Sequence, residues 1–189
     1  MKQLADLLFE ANFLKKVPRS GFQFLGAGSE SVAEHSFTAA FIALVMSRMV
    51  PEADSARLVA MCLVHDLPEA RMGDLNYVQK QYVKADEAKA LADGCGELPM
   101  GNEFRAWIEE FNQGTTVEAR LANDADQLSL ILELKTLSDI GYSPPGHWLP
   151  NVLKRLKTDT GRRLAAMIME SDHDHWWRKI FVDSNNVPK

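Results

Sequence analysis

Apolar residues recur at three- and four-residue spacing along most of the chain, the period of helices that bury one stripe and leave the other in water. Leu4, Leu7, Leu8, Ala11 and Leu14 make a first stripe, which ends before Pro18 and Gly21. Residues 18–30, with Gly21, Gly26, Gly28 and Ser29, read as a loop. The run Ser31-Val32-Ala33-Glu34 has the form of a capping box, in which Ser31 and Glu34 satisfy two free backbone N–H groups. It predicts a second helix through Phe37, Phe41, Leu44, Val45 and Met49 to Pro51. A third, from about Ser55, is apolar on most sides (Leu58, Val59, Met61, Cys62, Leu63, Val64) and is expected at the buried centre. Pro68 stops it and Gly73 follows, which predicts a turn or short irregular helix over 67–76. Further helices are expected at about 83–93 and 102–112. A long one opens at Thr115-Thr116-Val117-Glu118, a second candidate capping box, and continues to about Ile140. After Gly141, Pro144, Pro145 and Gly146, a last helix is expected over about 149–170. No alternating segment longer than four residues, no repeat and no linker interrupts this pattern, so the expected fold is all-α.

Composition narrows the function classes. The 189 residues are 46% hydrophobic and 25% charged, as in ordinary globular proteins, which excludes a disordered or collagen-like chain. Acidic residues outnumber basic ones 26 to 21 and no local basic patch stands out, which argues against a nucleic-acid partner. No apolar run approaches the roughly 20 residues of a membrane span. The N-terminal stretch carries Asp6 and Glu10 among its apolar residues and has no small-residue cleavage site, so a cytoplasmic location with reduced thiols is expected. Cys62 and Cys95 are too few for a disulfide framework. Cys62 reads as a small buried hydrophobe and Cys95, between two glycines, as a loop thiol.

The candidate chemistry lies where polar residues interrupt the apolar pattern. His65 and Asp66 end the most hydrophobic helix, where burying an ionisable pair costs several kcal/mol unless its charge is compensated. A divalent metal ion is one compensation; a satisfied buried pair is the other reading. His35 falls in the first turn of the second helix, and Asp124 and Asp126 lie on the long helix among Leu121, Leu128 and Leu132. Asp126 falls near the apolar stripe, whereas Asp124 is expected to face outward. Two imidazoles and two carboxylates would form a mixed site suited to Mn²⁺, Fe²⁺, Co²⁺, Ni²⁺ or Mg²⁺, with Zn²⁺ less natural. A second His-Asp pair, His173-Asp174, sits in a polar stretch with His175 and reads as a solvated helix end.

The order His35, His65-Asp66, Asp126 on a helical chain resembles the H…HD…D signature of HD-domain phosphohydrolases. The stretch from His65 to Leu75 resembles the HDxxExxxGD(L/I) segment of the HD-domain 5'-deoxynucleotidase family. Arg19-Ser20-Gly21-Phe22 and Ser31-Val32-Ala33-Glu34-His35 resemble two further segments of that family. The match spans about residues 13–140. It implies one HD domain over 1–189, a helical bundle with a metal site between central helices and a C-terminal helical extension at about 147–181.

The resemblance implies His35, His65, Asp66 and Asp126 as metal ligands and Glu69 as the acid–base residue. It implies Arg19 as the group that orients the substrate phosphate, and Asp74, Leu75, Asn76 and Tyr77 as a substrate-contacting segment. A second divalent ion would recruit Glu69, Asp74 and the Leu75 carbonyl. Ser20 stands where some members carry Trp, with Phe22 the nearest aromatic. No histidine lies between Leu67 and Ala125, so an HD-type di-iron site lacks its ligands. Physics is consistent with these roles: an arginine fork matches phosphate bidentately, and a carboxylate beside a metal-bound water can move its proton. The expected function is hydrolysis of (deoxy)nucleoside 5'-monophosphates by a metal-dependent homodimer. The alternatives are another phosphoester substrate (a dNTP, a cyclic nucleotide or a sugar phosphate) or a nucleotide-binding regulatory module without turnover. Tyr77, Lys80, Tyr82 and Lys84 could line a nucleotide pocket, with a solvated amphipathic segment as the default reading. Trp148, Trp176 and Trp177 are expected to anchor the C-terminal helix or a subunit interface.

Overall fold

The computed structural model describes residues 2–184, and among these every regular element is helical. In chain order the α-helices are α1 (Lys2–Phe13), α2 (Phe22–Leu25), α3 (Val32–Met49), α4 (Ser55–Val64), α5 (Glu69–Met72) and α6 (Glu87–Cys95), with single 3-10 turns at Leu14–Lys16 and Gln79–Gln81. Then follow α7 (Gly101–Gln113), α8 (Val117–Asp139), α9 (Pro145–Leu153), α10 (Asp159–Glu170) and α11 (His175–Ser184). One isolated antiparallel bridge, Pro18 to Ser31, ties the loop after α1 to the start of α3.

The helices α3, α4 and α8 form the centre, with α7, α9 and α10 packed around α8. Their shared core holds Met46, Leu58, Met61, Leu121, Leu128, Ile131 and Leu134, all essentially inaccessible to water. A smaller cluster, including Leu7, Leu14, Val17, Leu91, Cys95 and Ile108, seats α1 and α6 beside it. Cys95 is therefore no loop thiol: it is the last residue of α6, buried, and its thiol donates to the Leu91 carbonyl at 3.3 Å.

The capping box of α3 forms as the sequence predicts: Ser31 accepts from the Glu34 N–H, and Glu34 accepts from the Ser31 N–H. The burial of α3 is reversed, however. Phe37 and Phe41 are 69% and 59% exposed, while His35, Ser36, Ala39, Ala43 and Met46 face inward. Small side chains on that stripe let α3 approach α4 and α8 closely, and this packing outweighs the hydrophobicity of the opposite stripe. Leu4 and Leu8 of the first stripe are likewise exposed. The long helix α8 starts one residue later than its candidate capping box implies. Thr116 is the N-cap and accepts from the Ala119 N–H, while Glu118 accepts from the Asp54 N–H ahead of α4.

The helix expected over 149–170 is two helices, broken at residues 154–158. Asp124 supplies the reason. It is fully buried rather than outward-facing, and it accepts from the Lys157 N–H, the Thr158 N–H and the Thr158 hydroxyl at 2.6–2.8 Å. Thr158 in turn accepts from the Gly161 N–H and caps α10. A Cβ on Gly161 would lie 2.3 Å from the Asp124 carboxylate, so this close approach requires glycine. Of the three tryptophans expected as anchors, Trp148 is half-buried against the core, whereas Trp176 and Trp177 are exposed.

Removing the Asp124 carboxylate strands two backbone N–H groups in the interior. Asp124→Ala is expected to lower unfolding free energy by about 3 kcal/mol, at roughly 1–3 kcal/mol per stranded group. Urea denaturation measures this, and wild-type stability in the variant would refute the capping role.

Candidate metal centre and active site

Three helix segments meet at one point: the first turn of α3, the C-terminal end of α4 and the middle of α8. They bring together His35, His65 and Asp126, each offering a ligand atom, with all three atoms within 4.8 Å of one another. The Nε2 of His35 lies 2.9 Å from the Asp126 carboxylate. The Asp66 carboxylate lies 3.2 Å from His65 Nε2 and 3.9 Å from His35 Nε2, and it also meets the Arg19 guanidinium at 3.4 Å. Each helix contributes in a different way. Where α4 ends, its last carbonyls lose their helical partners. The Cys62 carbonyl, in that last turn, lies 2.9 Å from His65 Nδ1. A carbonyl only accepts, so Nδ1 carries the proton in this bond and Nε2 is turned toward the carboxylates.

The donors fit a divalent ion. His65 Nε2 is buried without a hydrogen-bond partner, because Asp66 is near but not aligned to bond it. One Glu69 carboxylate oxygen is buried and unpartnered as well. Buried polar atoms of this kind are rare unless a water or an ion completes them. Imidazole and carboxylate ligands together suit first-row divalent metals or Mg²⁺.

The local electrostatics carry the same strain. Burial pushes the Glu69 carboxyl up to about 9, with the Asp66 and Asp74 carboxylates adding to the rise. Burial alone would lower the His65 imidazole, but Asp66 and Asp126 overcome it and raise the group to about 9. Burial works against ionisation of Asp66 and Asp126 too, yet the histidines hold both carboxyls below their ordinary range. Glu30, beside His35, is raised to about 7 by burial and by Glu133.

Around this point lies an open cleft of about 350 Å³. It is lined by the polar side chains of Arg19, Asp66, Glu69, Asp74, Asp126 and Arg155 and by Phe24, Tyr77, Leu130 and Trp148. Arg19 is held there because its N–H donates to the Glu30 carbonyl at 2.8 Å, next to the Pro18–Ser31 bridge. Asp74 is turned to the same loop, accepting from the Ser20 N–H at 2.9 Å and lying 3.8 Å from Arg19. The turn that delivers it needs Gly73, whose φ of +74° and ψ of 163° fall in a region reserved for glycine.

Leu75, Asn76 and Tyr77 line the cleft, but the Asn76 side-chain carbonyl accepts from the Val78 and Gln79 N–H groups and so caps a local turn. Tyr77 is 64% exposed, with the Arg155 guanidinium 5.2 Å over its ring. Phe22 is mostly buried in the core; Phe24 is the more exposed phenyl ring at this edge of the cleft. Gln127 and Arg155 were not legible as site residues. Gln127 donates to Asp126 at 2.6 Å and accepts from Arg155 at 3.4 Å, a chain from the His–Asp cluster to the cleft wall. Adjacency to Asp126 was the one available signal for Gln127, and Arg155 has none because it reaches the site from beyond the Gly- and Pro-rich break. Tyr82, at 85% exposed, belongs to the solvated surface.

A family model described as HD domain matches residues 11–169. The human 5'-deoxynucleotidase HDDC2 is 28% identical over 149 residues, covering 76% of this chain and 72% of that protein. The Dictyostelium discoideum 5'-deoxynucleotidase HDDC2 is 28% identical over 153 residues, covering 75% and 78%. Among solved structures, a conserved hypothetical protein from Pyrococcus furiosus superposes with a TM-score of 0.75 at 32% identity, covering 88% of this chain and 97% of that one.

Two predictions follow from the geometry. Gly73→Ala forces a side chain into a glycine-only conformation at a cost of about 1–3 kcal/mol. It should reduce stability in urea and weaken the Asp74 contact, and unchanged stability would count against the strain. The second concerns pH. In the ion-free protein, His65 and Glu69 retain protons to about pH 9, whereas the same groups in an unfolded chain lose theirs near 6.5 and 4.5. The folded state then binds more protons than the unfolded one, so ion-free stability should fall as pH rises from 6.5 toward 9. Denaturation of chelator-treated protein across that range measures it; stability that rises with pH would contradict the assignment.

Proposed function

The chain belongs to the HD-domain family, and on that premise we propose that it is a metal-dependent phosphohydrolase that converts (deoxy)nucleoside 5'-monophosphates to nucleoside and phosphate. The observation that carries this reading is the convergence of His35, His65 and Asp126, with Asp66 against both imidazoles, at a cleft that Arg19 also lines. A divalent ion held by His35, His65, Asp66 and Asp126 would supply Lewis acidity toward a phosphoryl oxygen and a water of lowered pKa.

The chain's own residues do the rest. Arg19, already poised between two carboxylates, exchanges them for the phosphate oxygens and holds these bidentately. Water adds to phosphorus and the bond to the sugar O5' breaks. Glu69, which lines the same cleft, takes a proton from the attacking water and passes it to the departing O5'. The aromatic and apolar side chains lining the cleft, Phe24, Tyr77, Leu130 and Trp148, offer the base and sugar surfaces to stack against. A second ion at Glu69, Asp74 and the Leu75 carbonyl would need Asp74 to share the carboxylate that now accepts from Ser20.

The same reading takes the whole chain as one HD domain. No helix among the described residues is long and apolar enough to cross a membrane, and two free, buried cysteines suit a reducing cytoplasm. A homodimer is in keeping with the apolar side chains that α3 leaves exposed. The similarity of the chain to proteins named 5'-deoxynucleotidase supports the monophosphate substrate.

Phosphate release from a panel of 5'-nucleotides with Mn²⁺, Co²⁺ or Mg²⁺ tests the proposal. Monophosphates are expected to turn over, and no release with any ion from folded protein would refute it. Glu69→Gln should lower kcat by roughly 10²-fold or more, the range expected for a lost general acid. A variant with wild-type kcat would remove Glu69 from the chemistry.

A further inference from the structure

The two histidines of the cluster are held unequally. His65 has a backbone carbonyl on its far nitrogen, supplied by the end of α4. His35 has no such partner: it is fully buried, and its Nδ1 makes no hydrogen bond. Its position on α3 explains the lack. The first turn of a helix offers free N–H groups and not free carbonyls. The preceding carbonyls are engaged: Ser31 accepts from the His35 N–H at 3.1 Å, and Val32, in the place that Cys62 takes before His65, accepts from the Ser36 hydroxyl at 2.9 Å. Nδ1 therefore lacks the free carbonyl that the end of α4 gives His65.

One carboxylate is placed for that task. An oxygen of Glu30 lies 4.0 Å from His35 Nδ1, and the Glu30 side chain is 6% exposed. A metal-bound imidazole almost always donates its other ring N–H to a carboxylate, carbonyl or water. We propose that Glu30 is the positioning residue of His35, accepting its Nδ1–H directly or through one water and so keeping Nε2 aimed at the ion site. The proposal rests on the metal-centre reading above. At 4.0 Å a single water or a small rotation of the carboxylate closes the contact.

The backbone of Glu30 is already fixed for this role. Its carbonyl accepts from the Arg19 N–H, and on the other side of the Pro18–Ser31 bridge the Val32 N–H donates to Val17 at 2.9 Å. The pairing that holds the phosphate-binding arginine therefore also sets the residue behind the metal-binding histidine. The pair also explains why an acid is kept in so dry a position. For the fold alone, an apolar side chain of similar size would be neutral or better.

Full-length wild type, Glu30→Leu and Glu30→Gln are titrated with Co²⁺ and Mn²⁺ by calorimetry, and their thermal unfolding is followed without metal. Glu30→Leu is expected to bind the ions about 10–100-fold more weakly, as for other lost partners of metal-bound histidine. Its metal-free Tm should be unchanged or higher. Glu30→Gln, which keeps an acceptor but loses the charge, should fall between the two in affinity. A purely structural role predicts the reverse, a lower Tm with affinity intact, and would overturn the proposal. So would a Glu30→Leu variant with wild-type affinity. Should that variant not fold, wild-type affinity in Glu30→Gln overturns it instead. Wild type that binds neither ion refutes the metal-centre reading itself, whereas binding by wild type and both variants alike refutes Glu30 alone.

Discussion

Asp66 and Asp126 sit within a few ångströms of two buried imidazoles, with Glu69, Asp74 and Arg19 close behind. This crowding of ionisable groups is the constraint on which the rest of the structure depends. In water such groups would simply be solvated; here apolar helices surround them, and the charge has to be balanced locally. The ion-free chain does so by keeping a proton on His65 and on Glu69 up to about pH 9 and by drawing Arg19 into the gap. A divalent cation would satisfy the same groups without those protons. The packing of α3 against α4 and α8 through alanines and Met46 brings His35, His65 and Asp126 together.

Two aspartates, two residues apart on α8, divide the work of that helix. Asp124 is closed inside the protein and accepts three hydrogen bonds from Lys157 and Thr158, the two residues that lead into α10. Asp126, about 200° further round the helix, keeps its carboxylate toward His35 and the cleft. The first fixes the C-terminal helices against the bundle. That in turn sets the segment that brings Trp148 and Arg155 to the cleft wall.

Much of this was legible in the sequence, and the failures have physical causes. The all-helical period, the Ser31–Glu34 capping box and the Pro68/Gly73 break appear in the structure where the residues indicate. The His35, His65 and Asp126 cluster was legible from order and resemblance, because polar residues in apolar helices stand out. The outward placement of Asp124 failed because helical phase alone does not reveal a partner 33 residues away that caps another helix. The inner face of α3 was inverted because close helix packing prefers alanine over phenylalanine, which the count of large apolar residues does not register. Glu30 and Arg155 are ordinary charged residues in sequence; their relation to the site is set by tertiary contact.

The central claim is that these side chains form one divalent-metal centre. Anomalous diffraction from a crystal grown with Mn²⁺ tests it most directly. The account predicts a peak among His35 Nε2, His65 Nε2 and the carboxylates of Asp66 and Asp126. A cluster without a peak, with manganese bound instead at His173 and His175, would contradict it.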